Sequence, residues 1–241
     1  MSKSKAIQAV DPALLDDITA ATLEHREARI LASRAEAWCD ALRERILSRL
    51  HMAGVREWRD PEVGIAILSQ RAGMVDYDRL CADLGVPEDE LEPYRRPPTR
   101  SVRITHQGME APTPPQFPRI REAEPMDGIA DDIRRYREMR EIAGAMGDRV
   151  RRASQRILER LDGAGLQGCV VPGVARITIV TRRGTVDYRA WLASRNLDEE
   201  TIAAYRREPS VVLYVLSPHE RVHAASDDAH GDDNYGNYVV P

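Results

Sequence analysis

Arg182-Arg183-Gly184-Thr185-Val186-Asp187-Tyr188, followed by Tyr205-Arg206-Arg207-Glu208-Pro209, has a second version upstream in the same chain. That version reads Arg71-Ala72-Gly73-Met74-Val75-Asp76-Tyr77, followed by Tyr94-Arg95-Arg96-Pro97-Pro98. Set in register, the two texts run without a gap. Arg45-Ile46-Leu47 falls on Arg156-Ile157-Leu158, and Ala53-Gly54 falls on Ala164-Gly165. Chance does not hold register over roughly sixty residues, so an internal duplication is predicted. The period is far longer than a solenoid unit, which indicates a doubled domain and not an array.

Positions that differ between the two texts but suit the same geometry refine the reading. Gly85 falls on Asn196, and these two residue types best tolerate the left-handed conformation that closes a helix. Pro87 falls on Asp198, and both suit the first turn of a following helix. Asp76 and Asp187 stand where a helix should begin, as side-chain caps for free backbone N–H groups. Gly73 and Gly184 precede them as tight-turn glycines. The predicted fold class is α+β. Each copy is a long helix followed by a small β-α-α-β unit, and the copies are related by a pseudo-two-fold axis.

Outward from the repeat, the chain divides into a disordered start (1–11), repeat 1 (12–105), a Pro-rich linker (106–126), repeat 2 (127–217) and a polar tail (218–241). Asp11-Pro12 opens the first long helix, with Asp as cap and Pro at the first helical position. Leu14, Ile18, Ala21, His25, Ala28, Ala32, Ala35, Cys39, Leu42 and Ile46 follow a four–three alternation, the seam of a coiled coil. The second long helix is predicted from about Asp127 to Leu161, with Asp127, Asp131 and Asp132 favoured by the dipole at its start. Its seam, Ile129, Ile133, Tyr136, Ala143, Val150 and Ile157, should pack on the first helix. Strands are predicted at Val63–Leu68, Val102–Ile104, Ile177–Val180 and Val211–Leu216. A two-stranded sheet is marginal alone, so the two copies, or two chains, should add strands to one another. The linker carries Pro112, Pro114, Pro115, Pro118 and Pro125 and reads as an extended spacer.

The chain has 241 residues and a net charge of −4. This balance fits neither a nucleic-acid-coating protein nor a disordered acidic one. Lys3 and Lys5 are the only lysines, so the cationic side chains are otherwise arginine. Cys39, Cys81 and Cys169 fit no zinc spacing and no disulfide framework, and are expected to be free thiols. No signal core or membrane-length apolar run is present in the sequence, so a soluble, cytoplasmic protein is expected. His219 and His223 stand four apart near Asp227, Asp228, His230, Asp232 and Asp233. A metal site there is weighed against a plain polar tail, and the tail reading is preferred.

No nucleophile motif, Walker loop or nuclease carboxylate cluster appears. The Asp76-Tyr77 and Asp187-Tyr188 pairs suggest acid–base work, but capping already accounts for the aspartates. No catalytic residue, metal or cofactor is therefore expected. The candidate binding residues are arginines: Arg71, Arg95, Arg96, Arg182, Arg183, Arg206 and Arg207 around the repeated motif, and Arg149, Arg152 and Arg156 on the second long helix. Arginines near helix ends can instead serve free carbonyls. Two duplicated clusters could hold backbone phosphates.

Gly-Thr-Val-Asp-Tyr-Arg-Ala-Trp-Leu from Gly184, then Tyr205-Arg206-Arg207-Glu208-Pro209-Ser210 and a short strand, resembles the C-terminal end of phage exonucleases of the YqaJ recombinase type. The resemblance covers 173–215 best and 64–104 less well. The nuclease core of that family needs an Asp and a Glu-x-Lys strand pair, and this chain has no such lysine. The resemblance thus implies a phage or prophage recombination setting without nuclease activity. The expected partner is DNA or a phage recombination protein, and the alternatives are a host protein, as for an inhibitor of a defence complex, and a homodimer.

Overall fold

The computed structural model describes residues 11–218. The disordered start and the polar tail, with the His and Asp residues weighed there as metal ligands, lie outside this range apart from Asp11 and Pro218. Among the described residues the chain is mixed α+β, with six α-helices and two three-stranded sheets. Helix α1 spans Pro12–Met52, followed by β1 (Glu57–Asp60), β2 (Gly64–Arg71), α2 (Tyr77–Asp83), α3 (Glu88–Leu91) and β3 (Thr99–His106). The same succession then recurs as α4 (Ile129–Gly163), β4 (Gly168–Val171), β5 (Ala175–Arg182), α5 (Tyr188–Arg195), α6 (Glu199–Ala203) and β6 (Ser210–Leu216). No described helix is long and apolar enough to cross a membrane.

The long helices begin and end as their sequences dictate. Asp11 accepts from the Ala13 N–H at 3.1 Å, and Pro12 is the first helical residue. At the end of α1, Gly54 turns left-handed (φ 65°), and the Val55 N–H reaches back to the Leu50 carbonyl at 3.0 Å. Gly165 (φ 67°) closes α4 in the same way, with the Leu166 N–H on the Leu161 carbonyl at 2.9 Å. Such a left-handed cap satisfies carbonyls the helix leaves free. The predicted seam of α1 is buried from Ile18 through Ile46.

Two features correct the predicted β-α-α-β unit. A short strand precedes each longer one, so the succession is β-β-α-α-β; β1 and β4 were not foreseen. The closing strands also cross over. The sheets are β1-β2-β6 and β3-β5-β4, so β6 pairs antiparallel with β2, and β3 with β5. The expectation that strands are exchanged holds within one chain, and each sheet thereby gains a third strand.

Two compact units result, and neither follows the repeat boundaries 12–105 and 127–217. Among the described residues, the first comprises 11–40, Pro97–Gln116 and Glu138–Gly184; the second comprises Ala41–Arg96, Phe117–Arg137 and 185–218. In the first unit, Ile18 and Ala21 of α1 and Ile157 and Leu161 of α4 share a core with Cys169, Val171 and Ile177 of the sheet. Packing between the two long helices was expected, and here they bury one apolar cluster together. In the same unit His25 Nδ1 lies 2.8 Å from His106 Nε2, joining α1 to the end of β3. Burial, the neighbouring His106 and the Arg29 charge push the His25 pKa down to about 4.

In the second unit, Leu80, Leu91 and Trp191 form the core between the short helices. Its part of the linker is anchored and not a bare spacer. Arg45 donates to the Pro118 carbonyl at 2.5 Å and covers the Phe117 ring, while Arg49 donates to the Pro125 carbonyl at 2.7 Å. Asp132, placed by the sequence only at a helix start, accepts from Arg45 Nε at 3.0 Å and from the buried Arg49 Nε at 2.7 Å.

Candidate nucleic-acid interface

The repeated motif closes on itself in the second unit. The Asp76 N–H donates to the Tyr205 carbonyl at 2.9 Å, and the Arg207 N–H to the Met74 carbonyl at 3.0 Å. Reciprocally, the Asp187 N–H donates to the Tyr94 carbonyl at 2.8 Å, and the Arg96 N–H to the Thr185 carbonyl at 3.0 Å. Val75 bridges Arg206 and Val186 bridges Arg95. Tyr77 stacks on Tyr188, with ring centroids 4.2 Å apart. The text that occurs twice is therefore the text through which the two stretches bond each other.

Its aspartates are caps, as expected. Asp76 accepts from the Arg79 N–H at 3.2 Å, and Asp187 from the Ala190 N–H at 3.0 Å. That backbone bond, aided by Arg207, holds the Asp76 carboxyl below its ordinary range. Gly85 (φ 63°) and Asn196 (φ 52°) adopt the left-handed conformation read from the sequence. Gly73 has a different reason from the turn predicted for it. A Cβ there would lie 1.7 Å from the Arg207 carbonyl oxygen, so the position is fixed by close approach of backbone. Gly184 is buried at the end of the first unit's segment.

The motif arginines divide between the units. Arg71, Arg95, Arg96, Arg206 and Arg207 belong to the second unit, and three of them face carboxylates of their own chain. Arg95 lies 3.2 Å from Glu92, Arg206 lies 2.8 Å from Glu199, and Arg207 lies 3.2 Å from Asp76. Arg71 is exposed at the end of β2, opposite Ser210. Arg149, Arg152, Arg156, Arg182 and Arg183 belong to the first unit. Arg156 lies 3.2 Å from Glu24, Arg149 is half-buried, and Arg152 is exposed.

Among all these, Arg182 stands in a setting that the sequence did not disclose. Alternation along β3 and β5 turns Val102, Ile104, Ala175, Ile177 and Ile179 inward. Arg100 and His106, of the inward set, meet Asp162 and His25. The opposite face presents Thr99, Ser101, Arg103 and Thr105 from β3, and Arg176, Thr178, Val180 and Arg182 from β5. Arg182 is paired with Thr99, Thr178 with Arg103, and Arg176 with Thr105. Arg103, Arg176, Arg182, Thr99, Thr105 and Thr178 are all exposed. None of β3, β4 and β5 contains an acidic residue. Among the described residues no carboxylate pairs with Arg103, Arg176 or Arg182. Three unneutralised guanidinium groups and a row of hydroxyls can donate to phosphate oxygens without displacing a bound carboxylate. Arg103 and Arg176 were missed because only strand pairing puts them on one face with Arg182. The alternating Arg176-Ile177-Thr178-Ile179 was the available signal. No family model, curated protein or solved structure matches the chain.

Proposed function

We propose that this chain is a non-catalytic accessory protein of phage or prophage DNA recombination or replication, and that it binds nucleic acid through the outer face of sheet β3-β5-β4. The observation that carries the reading is the acid-free face holding Arg103, Arg176 and Arg182. The resemblance of Gly184–Ser210 to YqaJ-type exonucleases supplies the setting, and the capping role of Asp76 and Asp187 supports a role without bond-making. An internal duplication is part of this proposal. Its support is the twofold succession of elements and the reciprocal bonds of the repeated motif.

Fluorescence anisotropy with duplex, single-stranded and ended DNA at graded salt tests it. Each phosphate contact contributes about 0.9 to the slope of log affinity against log salt on duplex DNA. The Arg103→Gln/Arg176→Gln/Arg182→Gln chain should therefore lose about 3 from that slope while keeping its melting temperature. No binding by the native chain at low salt overturns the reading. A second reading, an interaction protein acting on a host defence complex without DNA affinity, draws on one observation. The arginines Arg95, Arg206 and Arg207 are already matched by carboxylates. A host protein recovered together with a null DNA result would favour it.

A further inference from the structure

Among the described residues the two sheets leave four strand edges; the sequences of three carry a recognised protection and that of the fourth carries none. Strand β1, Glu57-Trp58-Arg59-Asp60, is short and charged. Strand β4, Gly168–Val171, is equally short and begins with glycine. Strand β3 is longer but carries Arg100 and Arg103. Strand β6, Ser210-Val211-Val212-Leu213-Tyr214-Val215-Leu216, pairs with β2 on one side and is the edge of its sheet. It has no charge, no proline and no break. An exposed edge of that kind is a template for another strand.

We propose that β6 pairs antiparallel with β6 of a second copy, which joins two β1-β2-β6 sheets into one six-stranded sheet. The charge pattern and the apolar outer face fit this occupant. A two-fold contact sets the same surface against itself, so any charge near the axis meets its own sign. The seven residues of β6 have none to repel. With Leu213 on the axis, Val211 stands opposite the second copy's Val215, and Val212 opposite its Tyr214. The latter is an aromatic–β-branched pair of the kind that stabilises sheets. Val211, 56% exposed although its inward-facing neighbour Val215 is only 5% exposed, gains cover from this pairing. The outer face of the same sheet, with Ile65, Ile67, Val212, Tyr214 and Leu216 half-buried, becomes continuous across the axis. This inference stands apart from nucleic-acid binding, which uses the other sheet.

Sedimentation equilibrium of the full chain over a range of concentrations should give twice the chain mass. Val212→Lys, on the outward side of β6, should abolish the dimer with an unchanged far-UV spectrum and melting profile at low concentration. As an independent check, Leu213→Cys should form a covalent dimer under mild oxidation, with mass spectrometry reading a 213–213 link. Val211→Cys should not, because its own counterpart lies four residues away along the strand. A monomer at every concentration overturns the proposal. So does a dimer that survives Val212→Lys, or a Val211→Cys chain that links as readily as Leu213→Cys.

Discussion

The outward positions of sheet β3-β5-β4 include Ser101, Arg103, Thr105, Arg176 and Thr178. The register that sets Gly73 on Gly184 sets Val212, Tyr214, Leu216, Ile65 and Ile67 at the same places in sheet β1-β2-β6. Inward, the pairs in that register are Val102 with Leu213, Ile104 with Val215, and Ile177 with Ala66, apolar in both. Packing against a core constrains one face of a sheet more than the other. Here the outer faces differ, one carrying arginine and hydroxyl, the other aliphatic and aromatic side chains. Function should be sought in what the two sheets do not share.

Four measurements break or sharpen this contrast, the largest effect first. Ile177→Ala, at a position 2% exposed in the first core, should cost about 2–5 kcal/mol in denaturant unfolding. A cost no greater than that of an exposed substitution would dissolve the distinction between inner and outer faces. Next comes pH. The His25–His106 contact belongs to the first unit, and the register places Tyr136 and Ser217 at these positions of the other half. The folded value of His25, about 4, lies below its unfolded value of 6.5. The unfolded chain therefore holds the extra proton between these values, so stability is complete above 6.5 and declines as pH falls toward 4. Burial and Arg26 lower His106 as well, which adds in the same direction. The loss should be on the order of 2–3 kcal/mol by pH 4, and His25→Gln should flatten it in melting curves. An equal pH slope in both chains would remove the histidine pair as its cause.

Asp187→Ala should cost about 1 kcal/mol through the lost cap of α5, read by the same unfolding experiment. The smallest effect on stability should come from giving the first sheet the surface of the second. Arg176→Ile with Thr178→Ile, both exposed, should leave stability within about 0.5 kcal/mol while DNA affinity falls. A large destabilisation would mean the polar face serves the fold.

What could be read from the sequence was whatever is decided locally. The seam of α1, the aspartate caps and the left-handed Gly85 and Asn196 each depend on neighbours within a turn or two. Strand β1 escaped because Glu57-Trp58-Arg59-Asp60 is mostly charged and has no apolar alternation. The partners of Asp132 escaped because Arg45 and Arg49 lie on the other long helix. The arginine face escaped for a related reason: Arg103 and Arg176 become neighbours only when β3 pairs with β5, and nothing near either residue encodes that pairing.

The crossing of the closing strands bears on how this protein is made. As the chain leaves the ribosome, β1 and β2 emerge first as a bare hairpin, a marginal structure in water. The strand that completes their sheet, β6, is made only after α4, β4, β5, α5 and α6. Meanwhile β3 has no partner until β5 follows it. Neither half can finish folding ahead of the other, and a protease cut in the 107–128 segment before β6 is made would strand both. Production of this protein should therefore depend on keeping the nascent chain covered until β6 is free.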